Sequence, residues 1–259
     1  ARDVAGFADL GEPQRLHNSF IQLTSPTSPV PSNGANNLYS TLTTSPSLRQ
    51  LSTLSSGLPA LRPALDYERI ESARRLAPSE YTLHNTLGYL SLTTPLAADE
   101  ALAVAYEFTY EGKVYRVGEF AADQSEGTSS LLFVKLLKGT DFSPKAPTWP
   151  LMMRNAYRLG AGITALQRAG FQLDVVYRDD ATGRALPYLP DGPLKGKQLL
   201  SVLGLDRLDA QQEARSDGHF DFVEGYTIRS SEGLVFFPTT EPFGSTLTTA
   251  LGAGSWSDR

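Results

Sequence analysis

Between Leu102 and Phe120 the side chains alternate with a period of two on both sides of a Glu111-Gly112 pair. Val104, Tyr106, Phe108 and Tyr110 fall on one face, and Ala103, Ala105, Glu107 and Thr109 on the other. That spacing suits a pleated strand and not a helix, whose repeat is 3.6. It predicts an antiparallel hairpin, Leu102–Tyr110 against Lys113–Phe120. A second strand pair is predicted at Tyr81–Leu83 and Tyr89–Leu92, around a turn containing Asn85 and Gly88. After a polar turn from Asp123 to Ser130 comes Leu131–Leu137, a nearly continuous apolar run. It fits a strand buried on both faces or a core helix, and the flanking Gly127 and Gly139 favour the strand. Phe171, Leu173, Val175 and Tyr177 alternate with Gln172, Asp174, Val176 and Arg178, and the turn residues Asp179 to Gly183 end that strand.

Three short helices are expected. Leu65–Leu76 offers Leu65, Ile70, Ala73 and Leu76 to one side, has Asp66 and Glu68 near its start, and stops at Pro78. Thr148 is placed to cap a helix through Leu151, Met152, Ala156, Tyr157 and Leu159 to Gly160, and Gln198–Leu203 ends at Gly204. From Thr24 to Pro59, Ser, Thr, Pro, Asn and Gly dominate and Arg49 is the one charge, which favours loop and extended chain. Two readings fit, a flexible linker and a strap laid on a folded body by Tyr39, Leu42, Leu48, Leu51 and Leu54, and the leucines favour the strap, since a free tail carries fewer of them.

The expected fold is therefore β-rich with a few short helices, arranged as two sandwich-like β modules joined near residues 139–148. Residues 1–64 form a polar Ser/Thr/Pro-rich extended segment, 65–140 the first β module, and 141–259 a helix plus the second β module. An internal echo agrees: Tyr81-Thr82, five residues, Gly88-Tyr89-Leu90 recurs as Tyr226-Thr227, five residues, Gly233-Leu234-Val235. Two related hairpins explain it, and so does chance.

A chain of 259 residues with 41% hydrophobic content can bury one large core or two smaller ones. Its net charge of -5 supplies no positive field for nucleic acid or an anionic membrane surface. Cysteine is absent, which removes disulfides, thiol nucleophiles and thiolate zinc sites. No window approaches eighteen consecutive apolar residues, so no transmembrane helix is expected, although a barrel strand would leave a weaker trace. The first residues, from Ala1, have no signal-peptide pattern, and the expectation is a soluble, excised or processed piece.

Enzyme signatures are sparse. His17, His84 and His219 stand in unrelated contexts without metal-motif spacing, no serine sits in Gly-x-Ser-x-Gly, and Gly160-Ala161-Gly162 lacks a third glycine. Asp174, Asp179 and Asp180 allow a glycosidase reading only if two of them face each other in space, and Trp149 and Trp256 lie too far apart in sequence to define a sugar platform. Asp206, Asp209, Asp217 and Asp221, with Gly218 and Glu224, are the strongest polar constellation. Carboxylates around a glycine turn chelate calcium through oxygen, but this spacing is not an EF-hand, and turn capping by the same acids is the commoner outcome. No other cofactor is expected.

Longer stretches carry a likeness. ARRLAPSEYTLHNTLGYLSLTTPL (73–96) and LAVAYEFTYEGKVYRVGEF (102–120) resemble the SprA/Sov family of gliding-motility and secretion proteins. So do SNGANNLYSTL (32–42), LLFVKLLK (131–138), PTWPLMMRNAYRLGAG (147–162), FQLDVVYRDDATG (171–183), LGLDRLD (203–209), DGHFDFVEGYTI (217–228) and GLVFFPTTEPFG (233–244). The resemblance implies a piece of a very large outer-membrane β-barrel protein of Bacteroidetes, the translocon for type IX cargo. It brings no catalytic residues to transfer. It implies a non-catalytic, soluble domain on the periplasmic or extracellular side of the outer membrane, with other type IX subunits and secreted cargo as partners. The alternatives are a surface adhesin or carbohydrate-binding module, and a glycan hydrolase.

Overall fold

The computed structural model describes residues 2–16, 18–24, 30–86, 88–123, 130–141, 143–160, 163 and 165–252. His17, Trp256, most of the polar turn after Asp123, and Ala161 and Gly162 of the glycine stretch lie outside these residues. Among the described residues strands outnumber helices, the sheets are small and the helices short, so the fold is β-rich. Backbone proximity divides the chain into Ala1–Met152 and Met153–Arg259.

In the first unit, β1 (Arg2–Phe7) lies between β2 (Tyr67–Ala73), antiparallel to it, and β8 (Leu132–Lys138), parallel to it. β3 (Tyr81–His84) pairs with β4 (Tyr89–Leu92) as a hairpin, β5 (Leu102–Val104) runs antiparallel on the far side of β8, and β6 (Tyr106–Tyr110) pairs with β7 (Lys113–Val117). The hairpin expected from Leu102 onward is present, broken at Ala105 so that its first residues join the large sheet. β8 is flanked on both sides, which is why Leu132 to Leu136 are all buried and why its sequence lacks alternation.

Within residues 65–76 the chain forms the strand β2, Tyr67–Ala73, and not the expected helix. The apolar spacing there suits either form, but β1 offers an open ladder from Phe7↔Tyr67 to Arg2↔Ala73 that an isolated short helix cannot match. Its irregularity sits at Ser72, with φ 53°, whose N–H donates to Asp3 Oδ1 at 2.8 Å.

The Ser/Thr-rich strap is wound into α1 (Leu38–Thr44), a 3-10 turn at Pro46–Arg49 and α2 (Leu51–Gly57), where loop and extended chain were expected. Leu38, Leu42, Leu48 and Leu54 are buried in one core with Phe7, Leu10, Tyr67 and Phe133, and Tyr39 and Leu51 pack against it. Helical winding lets the leucines reach one side, the docking that their number suggested. Phe7 stacks on Tyr67 at 5.6 Å and meets Phe133 edge-on at 5.9 Å. Burying each of these rings stabilises the unit by roughly 1.5–3 kcal/mol.

In the second unit, β9 (Ala156–Arg158) and β12 (Ile228–Arg229) flank β13 (Leu234–Phe236), all antiparallel. β10 (Tyr177–Arg178) pairs with β11 (Ala185–Leu186). α3 (Leu199–Val202) ends at Gly204, with φ 75°, as expected, and α4 is Ser245–Leu251. The helix expected from Thr148 to Gly160 is absent. Only Trp149–Leu151 makes a 3-10 turn, Thr148 gives no side-chain cap, and Ala156–Arg158 joins β13 because its apolar edge is completed there. At 171–178 the burial alternates as the sequence does, yet only Tyr177 and Arg178 find a partner strand. Leu200, Leu203, Leu205, Ile228, Val235 and Phe237 form the core, with Phe171, Leu173 and Val175 against it.

The sequence echo is a shared hairpin register. Leu83↔Leu90 and His84↔Tyr89 correspond to Ile228↔Val235 and Arg229↔Leu234, and both turns end on a left-handed glycine, Gly88 (φ 67°) and Gly233 (φ 63°). The surroundings differ: Ile228 and Val235 are core, whereas β3 and β4 contain no fully buried residue.

Candidate functional site

The first unit concentrates its polar geometry where the strap meets the sheet. Glu119 follows β7 and is 7% exposed. Its Oε1 and Oε2 accept from Arg49 Nη2 and Nη1, each at 2.7 Å, and Oε2 also accepts from the Phe133 N–H at 3.0 Å. Tyr39 donates its hydroxyl to Oε1 at 3.1 Å, and Arg49 Nη1 also donates to the Leu131 carbonyl at 3.0 Å. The guanidinium lies 4.4 Å from the Phe133 ring centre. Burial, reinforced by the Glu119 charge, raises the Tyr39 phenol above its ordinary value, and the bonds to Glu119 raise Arg49. Beside this group Arg116 spans Glu107 (2.9 Å) and Asp123 (2.8 Å).

Tyr39, Arg49, Arg116, Glu119 and Asp123 line a cleft of about 410 Å³ with Gly118. Its cations are already matched by carboxylates inside the protein, so the cluster acts as a clamp of strap to sheet and offers no obvious reacting pair. A single loop arginine among serines and threonines was the visible signal; its partner lies 70 residues away and was not legible.

The four aspartates are spent on their own loop. Asp206, buried, accepts from the N–H groups of Asp217 (2.9 Å) and Gly218 (3.2 Å) and from Ser201 Oγ (2.5 Å). Asp221, also buried, accepts from the N–H groups of Arg207 (2.6 Å) and Leu208 (3.2 Å). Asp209 binds the N–H groups of Gln211 and Glu213, both at 3.0 Å, while Asp217 accepts from His219 at 3.0 Å and is exposed. Each carboxylate thus satisfies backbone donors, as in an Asx-turn. Among the described residues no three His, Cys, Asp or Glu side chains converge as metal ligands.

Asp179 is likewise a turn acid. It accepts from Thr182 Oγ1 at 2.5 Å and Ala181 N–H at 3.3 Å, which holds its carboxyl below the usual range. Asp174 and Asp180 are exposed. His84 stacks on Tyr89 at 4.2 Å.

Aromatic side chains make a different surface on β6 and β7. Tyr106, Phe108 and Tyr115 stack in sequence at 6.0 and 5.6 Å, and Tyr110, beyond Phe108 on β6, is 49% exposed. In the second unit Tyr157, Phe237 and Phe243 meet edge to face at 5.2–5.4 Å, with Tyr157 and Phe243 exposed. No helix among the described residues is long and apolar enough to cross a membrane. No protein-family model matches this sequence, and no curated protein matches it.

Proposed function

We propose that this chain is a non-catalytic domain of a type IX secretion outer-membrane translocon of the SprA/Sov kind. Its role in that reading is structural: shaping or closing the conduit, or meeting partner subunits and passing cargo. The observation that carries the proposal is where the family-like stretches fall. SNGANNLYSTL supplies the buried Asn36, Leu38 and Leu42, LLFVKLLK is the central strand β8, and LGLDRLD with DGHFDFVEGYTI supplies Leu205, Ile228 and the aspartates that organise the loop between them. Family-like stretches at interior positions support a whole-domain reading over one of a shared surface motif.

In this reading the two β modules have a sandwich-like character, the domain lies on the periplasmic or extracellular side of the outer membrane, and its partners are other secretion subunits and exported cargo. Any calcium would brace the loop of Asp206 and Asp221 and do no chemistry. The test is deletion of this segment from the parent gene, followed by assays of cargo export and gliding with barrel abundance measured in parallel. Lost export at normal barrel level supports the proposal; intact export overturns it.

The half-buried Tyr106–Phe108–Tyr115 ladder, continued by the exposed Tyr110, favours one second reading, a surface adhesin or carbohydrate-binding module, because stacked rings suit the apolar faces of sugars. Retention on a glycan array that disappears in Phe108→Ala and Tyr115→Ala would select it.

A further inference from the structure

Asn33 and Gly34 are the central residues of a turn closed by the Ala35 N–H donating to the Ser32 carbonyl at 2.9 Å. Asn-Gly is the dipeptide in which a backbone N–H attacks the preceding side-chain amide most readily, because glycine puts no side chain in the way. Here the amide is held. The Asn33 N–H donates to the Arg116 carbonyl at 2.7 Å, its Oδ1 accepts from the Gly118 N–H at 2.8 Å, and its Nδ2 donates to the Gly118 carbonyl at 3.1 Å. The side chain thus pairs with the backbone just past β7 as a strand residue would. Asn33 is half-buried and Gly34 exposed.

We infer that Asn33 is a deamidation site which this clasp protects, so that it is modified only when residues 32–34 lift from the end of β7. Gly34 N bonds to Asn33 Cγ, the Cγ–Nδ2 bond breaks, and ammonia leaves, carrying the proton from Gly34 N. Water then opens the succinimide to aspartate or isoaspartate. Departure of Nδ2 requires loss of its bond to Gly118. Afterwards an aspartate oxygen would oppose the Gly118 carbonyl, and isoaspartate would add a backbone carbon and shift the N–H from Arg116, so the opened state would not re-close.

Gly34 is replaceable: an added Cβ would meet only Ser32 Oγ at 3.8 Å, and its φ is not in the left-handed region. The experiment incubates the full chain at mildly alkaline pH, folded and in denaturant, and follows the mass of the peptide containing Asn33. Conversion in denaturant but at least about tenfold slower in the folded chain, with Gly34→Ala suppressing the denatured reaction, is the expected result, because protection measures how rarely the clasp opens. Equal rates in the two states, or no conversion in denaturant, would overturn the inference.

Discussion

Arg49 and Glu119 meet through two 2.7 Å bonds, joining the only charge of the Ser/Thr-rich strap to the second residue past β7. The paired fork fixes orientation as well as distance, which a lysine cannot do. Glu119→Gln leaves the guanidinium half-buried without its counter-charge and should cost about 2–3 kcal/mol. Arg49→Lys should cost about 1–2 kcal/mol. Denaturant titration of each variant measures this, and an unchanged midpoint for Glu119→Gln would remove the clamp from the account.

Alkaline stability depends on three buried or half-buried groups of the first unit, Tyr39, Tyr106 and Lys135. Burial raises the phenols of Tyr39 and Tyr106 above their ordinary 10.0, so their contribution is whole below that value and is lost as pH rises through the folded one. Lys135 works in the opposite sense. Burial depresses its ammonium against the opposing pull of the Glu12 charge, so its cost fades as pH climbs toward 10.5. Phenolate absorbance should therefore rise late in the folded chain, and Tyr39→Phe should delete one late-titrating group. Titration of every tyrosine at its ordinary value would contradict this.

For the aspartates, Asp206→Asn puts an amide donor where backbone N–H groups now point. A loss of about 1–3 kcal/mol is expected, equal with calcium and with chelator. Thermal melts under both conditions decide the matter. A chelator-sensitive wild-type melt would select the calcium reading.

The twin hairpins allow a paired test of backbone strain against packing. Gly88→Ala has open space around it and should cost only the left-handed penalty, about 1–2 kcal/mol. Gly233→Ala suffers the same penalty and also drives a Cβ to 3.0 Å from the Ile163 carbonyl, so it should be clearly the worse variant. Equal melting temperatures for the two would mean that the Ile163 contact yields freely.

What was readable along the chain is what depends on neighbours in sequence. The β6–β7 turn at Glu111-Gly112, with φ of 48° and 73°, was marked by a period-two pattern around a flexible pair. The stop of α3 at Gly204 was marked by the glycine itself. The leucines of residues 38–54 announced burial without saying against what. Helix was misassigned at 65–76 and 148–160 because short apolar patterns satisfy both periods, and the nearest strand edge, β1 for the one and β13 for the other, settled the outcome.

The candidate site divides similarly. Asp206 to Asp221 were visible as a cluster because they are close in sequence, but whether carboxylates face a shared centre or their own backbone is a matter of direction in space. Local spacing carried the turns, the hairpins and the wealth of buried leucine, since each depends on a few consecutive dihedrals and side chains. The parallel pairing of β1 with β8, the Arg49–Glu119 fork and the clasp of Asn33 on Gly118 join residues 70 or more apart. Such contacts come into being only once the chain has folded back on itself, because no local preference encodes the partner of a residue that far away.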